Sequence, residues 1–316
     1  MRVMNRSSFS VRDLSRRLMS LGLVSLALAS PWALAREGVN VSKQTSGFAR
    51  LVPADQVEAA AQQQYAQMAS QAKEQNALLP DNHPQAVRLR AIAQRIIPHA
   101  VDWNSRAKQW QWQVMVLNSK ELNAFCMPGG KIAFYTGILD TLKLTDDEAA
   151  MIMGHEMAHA LREHARERMG KTSATQVGAS LLSSLLGLGS TGDTLLNMGG
   201  QLLTLKFSRA NESEADLVGM ELAARAGYDP RAGISLWRKM AAASKGAPPQ
   251  WLSTHPASNT RIQEMEAAMP QVMPIYDRAP KPSNRYDAPS RRGVHYLSQD
   301  PLAFWGRGHS PLLTRE

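Results

Sequence analysis

The sequence predicts an α+β fold, mainly helical, with a small antiparallel sheet built around one hairpin. Three observations predict it. Residues 145–169 and 208–226 each begin with a helix cap and continue with helix-forming residues. Residues 110–116 alternate with the period of two that marks a half-buried strand. Pro128-Gly129-Gly130 separates two short apolar runs and reads as a turn.

Residues 1–35 read as a signal peptide. Arg2, Arg6, Arg12, Arg16 and Arg17 form a basic start, the apolar run Leu18–Ala29 follows, and Ala33-Leu34-Ala35 offers a small-residue cleavage site. The apolar run is short of the ~20 residues a membrane-spanning helix needs, and no cysteine stands at the cleavage site to carry a lipid. Ser15-Arg16-Arg17 has only a faint likeness to a twin-arginine signal. The expectation is an exported, soluble, periplasmic protein. Removing five arginines and Asp13 lowers the formal charge from +9 to +5. That mild excess, without interleaved basic and aromatic residues, does not point to nucleic acid. The one cysteine, Cys126, has no intramolecular partner for a disulfide and reads as a small buried hydrophobe.

Residues 36–80 form an N-terminal helical segment, with a helix over the Ala- and Gln-rich stretch 54–77 and punctuation at Pro80. A second helix is expected from Gln85 to Ala100, with Val87, Leu89, Ile92, Ile96 and Ile97 on its apolar face. The period then changes to that of a strand over Trp110, Trp112, Val114 and Val116, a stripe read as sheet packing. A hairpin follows over 123–137. An exposed strand edge can hold an extended peptide by main-chain hydrogen bonds, so a hairpin beside a reactive helix suits peptide binding.

Thr145-Asp146-Asp147-Glu148 is a capping box, and the helix it opens is expected to run to about Met169, with Gly170 as its stop. In its middle stands His155-Glu156-Met157-Ala158-His159. Side chains four apart on a helix share a face, so both imidazoles can meet one zinc ion, with Glu156 next to them as general base on water. A zinc site needs more ligands. His164 comes nine residues after His155, on the opposite helix face, and Arg162 and Ala165 stand where a metzincin needs Gly and His. Glu163 reads as a salt-bridge partner, and His83, His99, His295 and His309 as ordinary histidines. The better source is Ser208-Arg209-Ala210-Asn211-Glu212-Ser213-Glu214-Ala215-Asp216. Ser208 caps a helix to about Ala226. Glu212 and Asp216 share one face, Glu212 as the third zinc ligand and Asp216 as acceptor for the free N–H of a ligand histidine. Glu214 lies on the far side.

Taken together, Asn123-Ala124-Phe125, Pro128-Gly129-Gly130, His155-Glu156-x-x-His159, Ser208-Arg209 with Glu212 and Ala215-Asp216, and Ser253-Thr254-His255-Pro256 followed by Arg261 resemble the CaaX-prenyl-protease-1-like gluzincins, metallopeptidase family forty-eight. The resemblance spans roughly 80–270. It is to the soluble branch, which includes the β-barrel assembly-enhancing protease, although no tetratricopeptide-like repeat follows here. It implies a zincin-like metalloprotease domain over 81–270, with one Zn2+ held by His155, His159 and Glu212, and Glu156 as base. It adds His255, which either stabilises the tetrahedral intermediate or occupies the water's position in a resting state. Arg209 and Arg261 are weaker candidates for substrate contact.

Residues 172–192 and 194–205 are free of charge but rich in Ser, Thr and Gly. They read as two apolar helical pieces with three open roles: core, movable lid, or a patch that docks peripherally on a membrane or on unfolded substrate. Helices are also expected over Arg231–Ser244 and Asn259–Ala268, and 271–316 forms a Pro- and Arg-rich tail. The expectation is a zinc metalloendopeptidase whose polypeptide substrates are misfolded or unassembled periplasmic or outer-membrane proteins. The competing reading is a periplasmic chaperone that uses the same cleft with little proteolysis.

Overall fold

The computed structural model describes residues 37–174, 198–243, 250–256 and 258–286. The expected signal peptide, residues 175–197 of the apolar insertion, and the tail from 287 onward lie outside the described residues.

The first helix, α1 (Ala54–Glu74), buries Val57, Ala60, Ala61, Tyr65 and Met68 at helical spacing. His83 caps α2 (Pro84–Ile96), its Nδ1 accepting from the Gln85 N–H at 3.2 Å. That helix stops short of Ala100: Pro98 lacks an N–H for the ladder, and the chain tightens into a 3-10 turn over Ile97–Asp102.

Strand β1 (Gln113–Leu117) starts later than the alternating pattern suggests. Trp110 and Trp112 precede it and pack elsewhere. Trp110 donates to Glu58 Oε1 at 3.0 Å. Trp112 lies so close to Gly130 that a Cβ there would meet its ring at 2.7 Å. Gly129 and Gly130, with φ of +81° and +77°, make the turn between β2 (Ala124–Met127) and β3 (Lys131–Tyr135), as the Pro-Gly-Gly signal required. The hairpin is antiparallel, with Ala124 opposite Phe134. β1, however, pairs with β3 in parallel, Val114 opposite Ile132, so the sheet is mixed, in the order β1-β3-β2. Among the described residues, β2 is thus an edge strand.

After the short α3 (Thr136–Thr141), α4 (Asp146–Leu161) opens with the expected capping box and is buried at every position but Asp147. It does not run to Met169. Arg162 ends it, Glu163 takes a left-handed conformation at φ 58°, and a separate helix, α5 (His164–Ser173), begins. Gly170 lies inside α5, where a Cβ would meet the Phe48 carbonyl oxygen at 2.0 Å, so it serves a close approach and not a stop. α6 (Arg209–Arg225) is capped by Ser208, and Gly227 follows it at φ +85°. α4 and α6 cross at two glycines: a Cβ on Gly154 would meet the Gly219 carbonyl oxygen at 2.6 Å, and one on Gly219 would meet the His155 backbone nitrogen at 2.6 Å.

α7 (Ala232–Ala243) and the short α8 (Gln250–Thr254) follow. α9 (Asn259–Arg278) extends past its expected end at Ala268 and contains Pro270 and Pro274. Its buried residues Arg261, Met265, Ala268, Val272 and Ile275 recur every three or four positions, and that packed face carries the helix through both prolines. Among the described residues, no helix is long and apolar enough to cross a membrane.

Candidate metal centre

The α4–α6 crossing brings the motif histidines against the acidic face of α6. His155, His159, Glu212 and His255 each offer one ligand atom, and these four atoms lie within 4.8 Å of one another. His159 Nε2 is 3.1 Å from His155 Nε2, and His255 Nδ1 is 3.3 Å from His155 Nε2. Glu212 reaches His155 Nε2 at 3.6 Å, His159 Nε2 at 3.5 Å and His255 Nδ1 at 3.1 Å. A tetrahedral zinc with bonds of about 2.0–2.1 Å has ligand–ligand edges of about 3.3–3.4 Å. The five separations given, 3.1–3.6 Å, bracket that edge, and three imidazoles with one carboxylate suit zinc chemically.

The protons point the same way. His155 Nδ1 is 3.0 Å from Asp216 Oδ1, so its N–H donates there and its Nε2 presents a bare lone pair to the centre. Asp216 is fixed in turn by Arg261, whose Nε and Nη2 donate at 2.6 and 2.8 Å. Burial disfavours the Asp216 charge, but Arg261 and His155 outweigh it and hold the carboxyl below its ordinary value. Glu212 behaves alike: burial raises it, while His255, His155 and Arg261 bring it lower overall. Arg261 also pairs with Glu212 at 2.9 Å and stacks over Trp237 at 4.1 Å. It is buried, and its guanidinium ties the two carboxylates together. His159 is held well below the ordinary histidine value, first by burial and then by His155, His164 and His255; it is neutral, the form that ligates metal. Arg209 is exposed at the start of α6.

Glu156 is buried beside this cluster. Its Oε1 accepts from Trp251 Nε1 at 2.6 Å and lies 3.6 Å from His255 Nε2. His255 therefore bridges the ligand set and Glu156 with its two ring nitrogens. It sits just after α8, whose last turn it closes by donating its N–H to the Trp251 carbonyl at 2.8 Å. Burial alone would lower the His255 pKa, but Glu156 and Glu212 raise it overall. Trp251 was missed in the sequence; its spacing of four from His255 was the available signal.

A cleft of about 340 Å3 opens beside the cluster. It is lined by β2 with Asn123 and Pro128, by Glu156 and His159, and by Leu202, Leu203, Leu205 and Phe207. The last residues of the apolar insertion thus line the cleft. Phe207, which sequence reasoning missed, stacks on the His159 ring at 4.1 Å and 24°. Cys126 also lines the cleft, but burial first, and then Glu156, push its thiol far up, so it is inert.

The placement of His164 was misjudged, and the contact of Glu214 with it was missed. His164 is not on the far side of the site. The helix breaks at Glu163, and His164 Nδ1 comes within 2.9 Å of His159 Nδ1. Glu214 approaches His164 Nε2 at 3.2 Å and accepts from Arg162 Nε at 2.6 Å. Glu163 is a salt-bridge residue as expected, paired with Arg166. A helix assumed continuous through 169 hid the His164 contact.

The sequence profile of Peptidase family M48 matches residues 83–269, more than half of the chain. With the crossed helices and the four-residue cluster, that match defines the class: the chain belongs to Peptidase family M48. Among its relatives, Mitochondrial metalloendopeptidase OMA1 of Schizosaccharomyces pombe is 36% identical over 198 residues, 62% of this chain and 56% of that protein. Metalloprotease LoiP of Escherichia coli is 30% identical over 195 residues, 61% of this chain and 73% of that protein. The Beta-barrel assembly-enhancing protease of Escherichia coli is 26% identical over 240 residues, 70% of this chain and 47% of that protein. The chain thus spans little more than half the length of the first of these relatives and less than half of the last.

Proposed function

We propose that this protein is a zinc-dependent metalloendopeptidase that acts on misfolded or unassembled proteins of a bacterial cell envelope. The observation that carries the chemistry is the convergence of three imidazole nitrogens and the Glu212 carboxylate within 4.8 Å, next to the buried carboxylate of Glu156. His155, His159 and Glu212 would hold the ion. Zinc at such a site supplies a Lewis acid for a peptide carbonyl and lowers the pKa of water towards 7. Glu156 takes the proton from the attacking water and returns it to the leaving amine. Trp251 fixes the direction in which Glu156 points. The open edge of β2 aligns the substrate as an added strand, and Phe125, Leu202 and Leu203 offer it an apolar wall.

His255 is the fourth member of the cluster. Its Nδ1 contacts to His155 and Glu212 support the reading in which it occupies the water's position at rest and must withdraw before a substrate carbonyl enters. The envelope setting rests on the signal-like N-terminus and on the likeness to the Beta-barrel assembly-enhancing protease. Casein hydrolysis tests the activity. It should be lost with a chelator, restored by zinc, and lost in Glu156→Gln with the metal retained. Suppressed aggregation without cleavage, the same in wild type and Glu156→Gln, would make the protein a chaperone instead.

A further inference from the structure

The two motif histidines are supported by different chemistry on their outer nitrogens. His155 gives its Nδ1–H to a carboxylate, Asp216, which Arg261 holds from the other side. Among the described residues, His159 has no carboxylate in that place. Its Nδ1 faces His164 Nδ1 at 2.9 Å, and the line continues from His164 Nε2 to Glu214 Oε2 at 3.2 Å and from Glu214 Oε1 to Arg162 Nε at 2.6 Å. Arg162 is anchored by backbone: Nη1 donates to the Lys43 carbonyl at 3.0 Å, and Nη2 to Ser42 and Gln44 at 2.7 and 2.9 Å. His164 and Arg162 are 1% and 3% exposed, so the His159–His164 contact and the Arg162 anchor lie away from water, while the Glu214 side chain is 25% exposed.

If His159 binds metal through Nε2, its remaining proton is on Nδ1. It must then donate to His164 Nδ1, which places the His164 proton on Nε2, aimed at Glu214. Every hydrogen bond has one donor and one acceptor, and the chain ends on an ion pair. His164 is not itself in the ligand cluster, because it meets His159 on the nitrogen that faces away from it.

We propose that His164 and Glu214 are positioning residues for the metal site, and that they lock His159 in the Nε2-ligating tautomer through a relay anchored by Arg162. The relay does for His159 what Asp216 and Arg261 do for His155. α6 supplies all three acids at alternate positions: Glu212 for the ion, Asp216 behind one histidine, and Glu214 behind the other. This rests on the metal reading above. Loss of an outer hydrogen-bond partner of a ligand histidine costs about 10–100-fold in metal affinity.

The test is the zinc dissociation constant of the full chain, measured by competition with a chromophoric chelator. His164→Leu should bind zinc about 10–100-fold more weakly than wild type. His164→Asn, whose amide oxygen can accept from His159 Nδ1–H, should recover most of that loss. A His164→Leu variant that binds zinc as tightly as wild type overturns the proposal while leaving the metal site standing. His164→Asn as weak as His164→Leu also overturns it. Wild type that binds no zinc removes the metal reading itself. Nitrogen-15 NMR of zinc-loaded wild type needs no variant. It should show His159 protonated on Nδ1 and His164 on Nε2, and a His164 proton on Nδ1 overturns the relay.

Discussion

Gly154 and Gly219 sit backbone to backbone where α4 crosses α6, with no room for a methyl group on either. Gly154 immediately precedes His155, and Gly219 lies one turn beyond Asp216. The contact therefore sets the distance between the two histidines and the carboxylates that face them. Gly219→Ala should cost about 1–3 kcal/mol by overpacking and should also weaken zinc binding, because the helices can relieve the clash only by separating. Urea unfolding and chelator competition on the same preparation check this; lost stability with wild-type zinc affinity would uncouple the crossing from the site.

Trp251 donates to Glu156 at 2.6 Å, and that bond orients the proposed base. Trp251→Phe keeps most of the packing against Trp237, whose ring centroid is 5.3 Å away, but removes the N–H. Hydrogen bonds to charged groups are strong, so peptide hydrolysis should fall on the order of tenfold with zinc content unchanged. Steady-state kinetics beside metal analysis gives the answer, and an unaltered kcat would leave Trp251 as packing alone.

His255 has two nitrogens in two places, one in the ligand set and one towards Glu156. His255→Ala should weaken zinc binding as one donor of the four is lost. The sign of its effect on hydrolysis of an unstructured peptide distinguishes its roles. A faster rate follows if it guards the open position, and a slower one if it supports the transition state. Unchanged affinity and rate would remove it from the site.

Asp216 is held below its ordinary value in the folded protein by Arg261 and His155, in opposition to burial. A depressed carboxylate contributes stability that is fully present above its unfolded pKa, about 3.9, and is lost as pH falls through the folded value. Metal-free Asp216→Asn should therefore be less stable than metal-free wild type near neutrality, with the gap closing below about pH 4. Denaturant unfolding across that range measures it; a gap that stays constant contradicts the ion-pair account.

Much of this site could be read in the sequence because helical spacing is rigid. His155 and His159 had to share a face, as did Glu212 and Asp216, and the capping residues Thr145 and Ser208 fixed where both helices begin. What could not be read depended on breaks and crossings. Nothing local announces that Glu163 adopts φ 58° and turns His164 back onto His159, because a glutamate pays a conformational cost there that only tertiary packing can offset. Pro270 read as an end, yet the buried face of α9 carries the helix on. The parallel pairing of β1 with β3 is a long-range choice that alternation does not encode.

The central claim is that His155, His159 and Glu212, with His255 at rest, hold one metal ion beside Glu156. X-ray absorption at the zinc edge of the full chain loaded with one equivalent tests it most directly. The account predicts three imidazole nitrogens and one carboxylate oxygen at about 2.0–2.2 Å, with one imidazole lost in His255→Ala. Zinc that does not bind stoichiometrically, or a first shell unchanged in His155→Ala, would contradict it.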